Sequence, residues 1–543
     1  MSDVLKDPVQ DGLPGSLEIG FEVPDRYNAS RILWDNILKG NGDRVAVRAS
    51  QGDLTYSALV QLAARAGNQL LALGLKRVAR VILLLADTPA YPAFIFGAIR
   101  AGLVPVLTNT QTPADLINFY LKDTGARVIV VDAALSSLIS EEAVKDAGLD
   151  AVIVVNGAAP AMPHVRQVIS FDQASAKLSP KLDEADTGRD DMAFWMYSSG
   201  STGRPKGIVH LQHDMLYSAL SYSDHFLKLK PDDICFSVPK IFFAYGFGNA
   251  ITFPFLAGAS ALLLADRPEP KAVCQAIRRH KPTVFFGVPT IYTMLVKSED
   301  IKTTDFSSIR LCVSAAEVLA TEIFQSWKDV TGLEIVEGLG STEVLHIYLS
   351  NSENNKRPGA AGKRVPGYEV RLTDADGREI ADDVVDVEGV LWVRGHSNAP
   401  CYWNRPDKTA ETMRGDWLYT GDRFRRDADG FYYFRGRADD LIKVSGQWVY
   451  PLEVELCLAD HVEIREVCVM GVQLPDQRMT LKAFIVPMNE PTDDKEFTLK
   501  VQDFVKKKLL PYKYPREVVL LKQLPKTGTG KIDRQALAKL ETR

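Results

Sequence analysis

The chain has few of the features that mark secreted, membrane or nucleic-acid-binding proteins. Its six cysteines among 543 residues, Cys235, Cys274, Cys312, Cys401, Cys457 and Cys468, include no C-x-x-C pair. Neither a zinc site nor a disulfide framework is therefore expected, and a reducing, cytoplasmic setting fits. The opening Met-Ser-Asp-Val-Leu-Lys-Asp lacks an apolar signal core, and no apolar run reaches the ~18 residues of a membrane span. Lys and Arg number 64 against 69 Asp and Glu, a formal net charge of −5, which argues against nucleic acid as the main partner. Low-complexity tracts and fixed-period repeats are absent, so a solenoid is excluded. The chain also lacks a Walker A loop and the dinucleotide Gly-x-Gly-x-x-Gly, which leaves a dinucleotide oxidoreductase with no more than fold-level analogy behind it.

What is present is a globular composition, 46% hydrophobic and 24% charged, in a chain long enough for at least two domains. The stretch Tyr197-Ser198-Ser199-Gly200-Ser201-Thr202-Gly203-Arg204-Pro205-Lys206-Gly207 concentrates glycines, hydroxyls and two cations. Glycines at 200, 203 and 207 let the backbone approach a bulky anion and aim successive N–H groups at it. Hydroxyls at 198, 199, 201 and 202 and the charges of Arg204 and Lys206 add donors. The apolar run Met192-Ala193-Phe194-Trp195-Met196-Tyr197 before it reads as a buried strand, and Ile208-Val209 after it begins the next element. Strand, glycine loop and renewed structure together make a phosphate site; composition alone would allow a flexible surface loop.

Along the rest of the chain, residues 1–29 are polar, punctuated by Pro and Gly, and read as a surface arm. Leu59, Leu62, Ala63, Ala66, Leu70 and Leu73 recur at helical spacing, with Gly74 placed to stop the helix. A strand at 81–85, a helix at 91–100 and an apolar run at 104–107 follow. The same rhythm returns at 116–121 with 126–131, and at 272–279 with 283–286. This alternation predicts α/β architecture with two doubly wound, mainly parallel sub-domains. After about residue 362, short alternating runs such as Glu369-Val370-Arg371-Leu372 and Gly389-Val390-Leu391-Trp392-Val393-Arg394 predict a β-rich third sub-domain. The expected division is an arm over 1–29, a large domain over 30–438, and a small α+β domain over 439–543.

Over all eleven residues, the 197–207 stretch resembles the signature loop of the adenylate-forming superfamily, which comprises acyl-CoA synthetases, peptide-synthetase adenylation domains and luciferases. Further stretches resemble the same superfamily in the same order, so the resemblance covers most of the chain. It implies a small domain that swivels on a hinge, and ATP and magnesium as requirements. Residues Ser198, Ser199, Gly200, Ser201, Thr202, Gly203 and Lys206 would hold the β- and γ-phosphates. Glu337-Gly338-Leu339-Gly340-Ser341-Thr342-Glu343 resembles the nucleotide loop, in which Glu343, with Thr202, holds magnesium and the Thr342 hydroxyl contacts phosphate. Ala316 and Glu317 would lie at the adenine. Tyr419-Thr420-Gly421-Asp422 resembles the ribose segment, with Asp422 accepting from the sugar hydroxyls. Gly436-Arg437-Ala438-Asp439-Asp440 resembles the hinge, with Arg437 on ribose or phosphate and Asp439 as the pivot.

In the closing Gly528-Thr529-Gly530-Lys531, the resemblance makes Lys531 the lysine of the first half-reaction. Lys443-Val444-Ser445-Gly446 matches the loop used in thioester formation, with Ser445 and Gly446 beside coenzyme A. Two stretches are similar to those of benzoate-CoA ligases: Lys240-Ile241-Phe242-Phe243-Ala244-Tyr245-Gly246-Phe247-Gly248-Asn249 and Ser341-Thr342-Glu343-Val344-Leu345-His346-Ile347. By that resemblance Phe243, Ala244, Tyr245, Gly340, His346 and Ile347 line the acyl pocket. Ala316 and Val344 depart from the glycine and methionine more usual there, which keeps substituted benzoates and cyclohexanecarboxylate open beside benzoate. The implied activity is an AMP-forming acid-thiol ligase, a ring carboxylate-CoA ligase. The expected partners are a ring carboxylic acid, ATP and CoA; a second copy of the chain and a lysine acyltransferase or deacylase acting on Lys531 complete them. Transfer to a carrier protein is disfavoured by a chain that stops twelve residues after Lys531. A non-catalytic binding homologue is disfavoured by Lys531, Glu343, Asp422 and Arg437 occurring together.

Overall fold

The computed structural model describes residues 14–198, 205–438, 442–444, 447–473, 479–526 and 532–540. Apolar runs uninterrupted by polar residues form strands buried on both faces, as parallel sheets require. Val128–Asp132 and Ala151–Val155 are buried at every position. They belong to a seven-stranded sheet ordered Gln167–Ser170, Ala151–Val155, Val128–Asp132, Arg80–Leu84, Val104–Leu107, Met192–Ser198, Lys206–Leu211. All its pairings are parallel except the last, in which Met192–Ser198 and Lys206–Leu211 run antiparallel on either side of the phosphate loop.

A second, nine-stranded sheet has a parallel centre: Ile335–Gly340, Leu311–Ser314, Val284–Gly287, Ile234–Ser237, Ser260–Leu262 and Val45–Arg48. Antiparallel strands flank it, among them Ile347–Ser350 beside Ile335–Gly340. The helix expected from residue 55 onward runs Tyr56–Ala72, capped by the Thr55 side chain on Ala58 N–H. Glycine 74 follows at φ +74°, a conformation that ends helices at low steric cost. The β-rich region is a six-stranded antiparallel sheet centred on Glu388–Arg394 and Trp417–Arg426. The last part carries the antiparallel pair Ile464–Gln473 and Met479–Pro487 with Glu517–Leu520 parallel to it, and the helices Pro451–Ala459, Asp494–Lys508 and Arg534–Leu540. The fold is thus α/β with two doubly wound sheets, a β-rich sheet and an α+β C-terminal part.

The sequence pattern did not foresee two features. Ile19, Val23, Tyr27 and Ala29, within the segment expected to lie on the surface, are buried in the cores. The helix from Ala244 to Ala257 is also irregular, with a π-helical stretch Gly248–Thr252 between α-helical ends. Such insertions shift the facing of later residues and recur at functional sites; this one holds Asn249 fully buried.

Candidate active site

The cleft is built where the two large sheets meet the β-rich sheet. The strand Ile335–Gly340 ends in Ser341 and a short 3-10 turn, Thr342–Val344. Gly340 is required there, because a Cβ would collide with the His346 carbonyl. The turn closes through Leu345 at φ +73°, a left-handed conformation that costs a non-glycine residue of order 1–3 kcal/mol. Each of its three carbonyls accepts a bond from outside the turn. His210 Nε2 meets Thr342 O at 2.8 Å, Ala399 N donates to Glu343 O at 2.7 Å, and Ser397 Oγ donates to Val344 O at 2.8 Å.

Glu343 also accepts at Oε1 from the Tyr402 hydroxyl, 2.8 Å away. Tyr402 had no signature in the sequence. It is placed by backbone pairing, since the segment 401–403 lies along Lys206–Leu211 through the Ile208–Tyr402 bridge and the Trp403 N to Gly207 O bond. Lys206 lies over the Tyr402 ring, Nζ 4.1 Å from its centroid. Burial holds the Lys206 pKa below its ordinary value, and the charge of Glu343 opposes that shift. A hard carboxylate oxygen of this kind fits magnesium, which keeps most of its waters and takes one or two carboxylates plus phosphate oxygens. Among the described residues no cluster of three or more His, Cys, Asp or Glu could hold a metal by itself, so a metal here would depend on the nucleotide for its remaining ligands.

Asp422 and Arg437 face each other across the strands Trp417–Arg426 and Tyr432–Arg437, 3.1 Å apart, and Arg437 also donates to Thr420 O at 3.0 Å. Gly421 at φ +71° brings the backbone against the guanidinium, where a Cβ would lie 3.0 Å from Arg437 Nη2. Tyr348, fully buried, ties this pair to the turn: burial and then the charges of Asp422 and Glu343 raise its pKa well above the ordinary value. Lys206, Glu343, Asp422 and Arg437 are therefore one electrostatic neighbourhood.

Other expected nucleotide residues are placed as follows. The Ser198 and Ser341 hydroxyls are buried and have no hydrogen-bond partner among the described residues. Burial pushes the Glu337 carboxyl up to about 8, against the backbone donors Gly359 N, at 3.3 Å, and Leu319 N. Gly338 packs where a Cβ would lie 2.8 Å from Ile347 Cδ1, and Leu339 is half-buried beside it. Ala316 stands at φ +75°, while Glu317 accepts from Thr290 Oγ1 at 2.8 Å.

One residue past Leu345 the surroundings become apolar. His346 is buried among rings, with centroids 4.4 Å from Phe253, 5.3 Å from Tyr222 and 5.5 Å from Tyr245. Desolvation pushes its pKa down to about 3, so the imidazole is neutral. Its Nε2 lies 3.3 Å from Tyr245 O, which makes Nε2 the N–H and leaves Nδ1 an acceptor without a partner. The Tyr245 hydroxyl and the Asn249 amide are likewise buried, with each other as their polar neighbour. Ala244 and Ile347 are buried, and Phe243 is half-buried, edge-to-face on Phe242. Tyr222 and Phe253 joined this group without a signal in any single motif, and Asn249, though it closes the 240–249 stretch, was not among the expected pocket residues.

Ser199, Gly200, Ser201, Thr202 and Gly203 lie outside the described residues, as do Asp439, Ser445, Gly446 and Lys531. Lys443 is on the strand Ile442–Val444, which pairs with Gln447–Val449. No helix among the described residues is long and apolar enough to cross a membrane.

Comparison with known proteins agrees with this geometry. The profile of the family described as AMP-binding enzyme matches residues 34–403, and that of the AMP-binding enzyme C-terminal domain matches 453–531. The chain is 39% identical to the benzoate–CoA ligase of Thauera aromatica, covering 95% of this chain and 96% of that one. It is 37% identical to the 4-hydroxybenzoate–CoA/benzoate–CoA ligase of Rhodopseudomonas palustris, covering 95% and 94%. A solved anthranilate CoA ligase in complex with anthranoyl-AMP superposes with a TM-score of 0.88 at 33% identity, covering 97% and 99%. With most of its length matched at these identities, the chain belongs to the AMP-binding enzyme family, as an adenylate-forming enzyme of the aryl-CoA ligase type.

Proposed function

We propose that the protein activates benzoate or a closely related ring carboxylate with ATP and transfers the acyl group to coenzyme A, releasing AMP and pyrophosphate. The observation that carries this reading is the continuity of residues 342–347. The turn bearing Thr342 and Glu343 and the ring cage around His346 are separated only by Leu345. An acid whose ring enters the cage therefore presents its carboxylate toward the phosphate-facing turn.

A carboxylate is already ionised at neutral pH, so the first step needs alignment and charge compensation rather than a base. Its oxygen attacks the α-phosphate, and the bond to pyrophosphate breaks. Glu343 and Thr202 would hold magnesium, which, when bound, offsets phosphate charge. Asp422 and Arg437 hold the ribose, Glu337 with Ala316 and Glu317 borders the adenine, and Ser198 through Gly203 with Lys206 grips the departing phosphates. Lys531 supplies a point charge between carboxylate and α-phosphate. In the second step a thiol of pKa ~8.5 attacks the acyl-adenylate carbonyl and AMP leaves. The small domain turns about Asp439 between the steps, exchanging Lys531 for Lys443, Ser445 and Gly446, while the closed cleft keeps water from the mixed anhydride.

A second reading, a ring bearing a hydroxyl or amino group, is favoured by the acceptor His346 Nδ1, which has no partner among the described residues, with Tyr245 and Asn249 buried beside it. Buried polar groups left without partners cost ~1–3 kcal/mol each, which a matching substituent would recover. Incubation with ATP, magnesium, CoA and a panel of benzoates, hydroxybenzoates, aminobenzoates and cyclohexanecarboxylate tests both readings. Pyrophosphate and a CoA thioester should form with ring acids. Absence of ATP consumption with every acid contradicts the proposal, and pyrophosphate exchange without CoA transfer points to a carrier-protein acceptor.

A further inference from the structure

The residue that joins the phosphate-loop strand to the nucleotide turn is His210, at the end of the strand Lys206–Leu211 and fully buried. It stands opposite Phe194 in the strand register and stacks on it, centroids 5.1 Å apart and planes 19° from parallel. Phe247 stacks on the far side of Phe194. The ring is thus held in one plane, which fixes where both nitrogens point.

Both nitrogens meet acceptors. Nε2 lies 2.8 Å from the Thr342 carbonyl, and Nδ1 lies 2.8 Å from Asp214 Oδ2. A carbonyl oxygen can only accept. The Asp214 carboxylate also accepts from Leu211 N at 3.1 Å on Oδ2 and faces His213 Nδ1 at 2.7 Å on Oδ1. Burial alone would raise the Asp214 pKa, but its bonds and charge interactions with His210 and His213 hold it below the ordinary value. The carbonyl therefore requires an N–H on Nε2, while Asp214 holds the Nδ1 side of the ring.

The Thr342 carbonyl also accepts Leu345 N at 3.1 Å. Of the three outside bonds that hold this turn, those from Ala399 and Ser397 come from the 397–402 segment, and His210 alone comes from the strand that follows the phosphate loop. We propose that His210 is a positioning residue for adenylate formation, its ring clamped by Asp214 so that Nε2–H holds the Thr342 carbonyl and fixes Thr342 and Glu343 relative to the strand Lys206–Leu211. Asp214, and His213 behind it, set the ring's orientation. The clamp maintains the left-handed Leu345 and with it the direction of the Glu343 carboxylate. This rests on the first half-reaction taking place in this cleft.

The experiment compares His210→Leu and His210→Gln with the wild type in the two half-reactions separately. His210→Leu should slow acid-dependent ATP–pyrophosphate exchange roughly a hundredfold, the scale of a misplaced catalytic group, and leave thioester formation from supplied aroyl-AMP unchanged. His210→Gln, which retains one N–H donor, should recover part of the loss. Nitrogen-15 NMR of the wild-type histidines should find the His210 ring carrying a hydrogen-bonded proton on Nε2, and Asp214→Asn should shift that signal. Equal loss in both half-reactions, no loss in either, or a His210 ring without a proton on Nε2 in the wild type would overturn the proposal. If His210→Leu does not fold, the wild-type NMR result decides alone. A wild type inert toward all acids and ATP would instead defeat the underlying functional reading.

Discussion

The nucleotide side of the cleft is charged and cross-braced, whereas the ring side, one residue along the chain, is dry and neutral. On the first, Glu343 is bonded to Tyr402, Asp422 to Arg437, and Lys206 lies over an aromatic face. On the second, His346 is packed among Tyr222, Tyr245 and Phe253 and has lost its proton to burial. On the proposed function the difference is a division of labour: fixed charge stands where phosphate would be held, and shape with a few buried polar atoms where the acid would be chosen.

The largest test removes charge from the nucleotide side. Glu343→Gln keeps the shape and the Tyr402 contact but not the anion, and pyrophosphate exchange should fall ~10²–10³-fold with every acid. The ATP dependence of exchange should report the loss.

Glu337 probes where the contrast fails, because it sits on the nucleotide side yet behaves like the ring side. Folded, its carboxyl keeps a proton up to about 8, while an unfolded glutamate releases it near 4.5. The folded state therefore holds the extra proton between those values, and stability falls as pH rises through that window. Glu337→Gln should remove this pH dependence, about 5 kcal/mol over the whole window, read by urea denaturation at several pH values. A variant with the wild-type slope would mean that the carboxyl is ionised in the folded protein.

Smaller effects are expected on the ring side. Tyr245→Phe should leave overall turnover nearly intact and change the preference between benzoate and hydroxylated benzoates by ~1–3 kcal/mol, measured as a ratio of kcat/KM values. Smallest is Ala316→Gly. Relief of the left-handed backbone at φ +75° should stabilise the protein by about 1 kcal/mol, seen as a raised Tm.

The same contrast explains what could be read in advance. The nucleotide side was legible because Gly340, Thr342, Glu343, Gly421, Asp422 and Arg437 lie in short contiguous stretches whose spacing is set by backbone geometry. The α/β rhythm was legible because strands such as Ala151–Val155 are apolar throughout. Tyr402 and His210 were not legible, since each acts through one contact made across the fold, to Glu343 and to the Thr342 carbonyl. The ring cage was half legible: Tyr245 and His346 fell in recognisable stretches, but Tyr222 and Phe253 reach it from an irregular helix and a separate segment. The π-helical turn that aims Asn249 inward has no compositional signature.

The most direct test of this division is acid-dependent pyrophosphate exchange across the same panel of ring acids for Glu343→Gln and Tyr245→Phe. The nucleotide-side variant should lower every acid by the same factor and preserve their ranking, and the ring-side variant should reorder the acids with little loss in the best rate. A reordered ranking in Glu343→Gln, or a uniform loss in Tyr245→Phe, would contradict it.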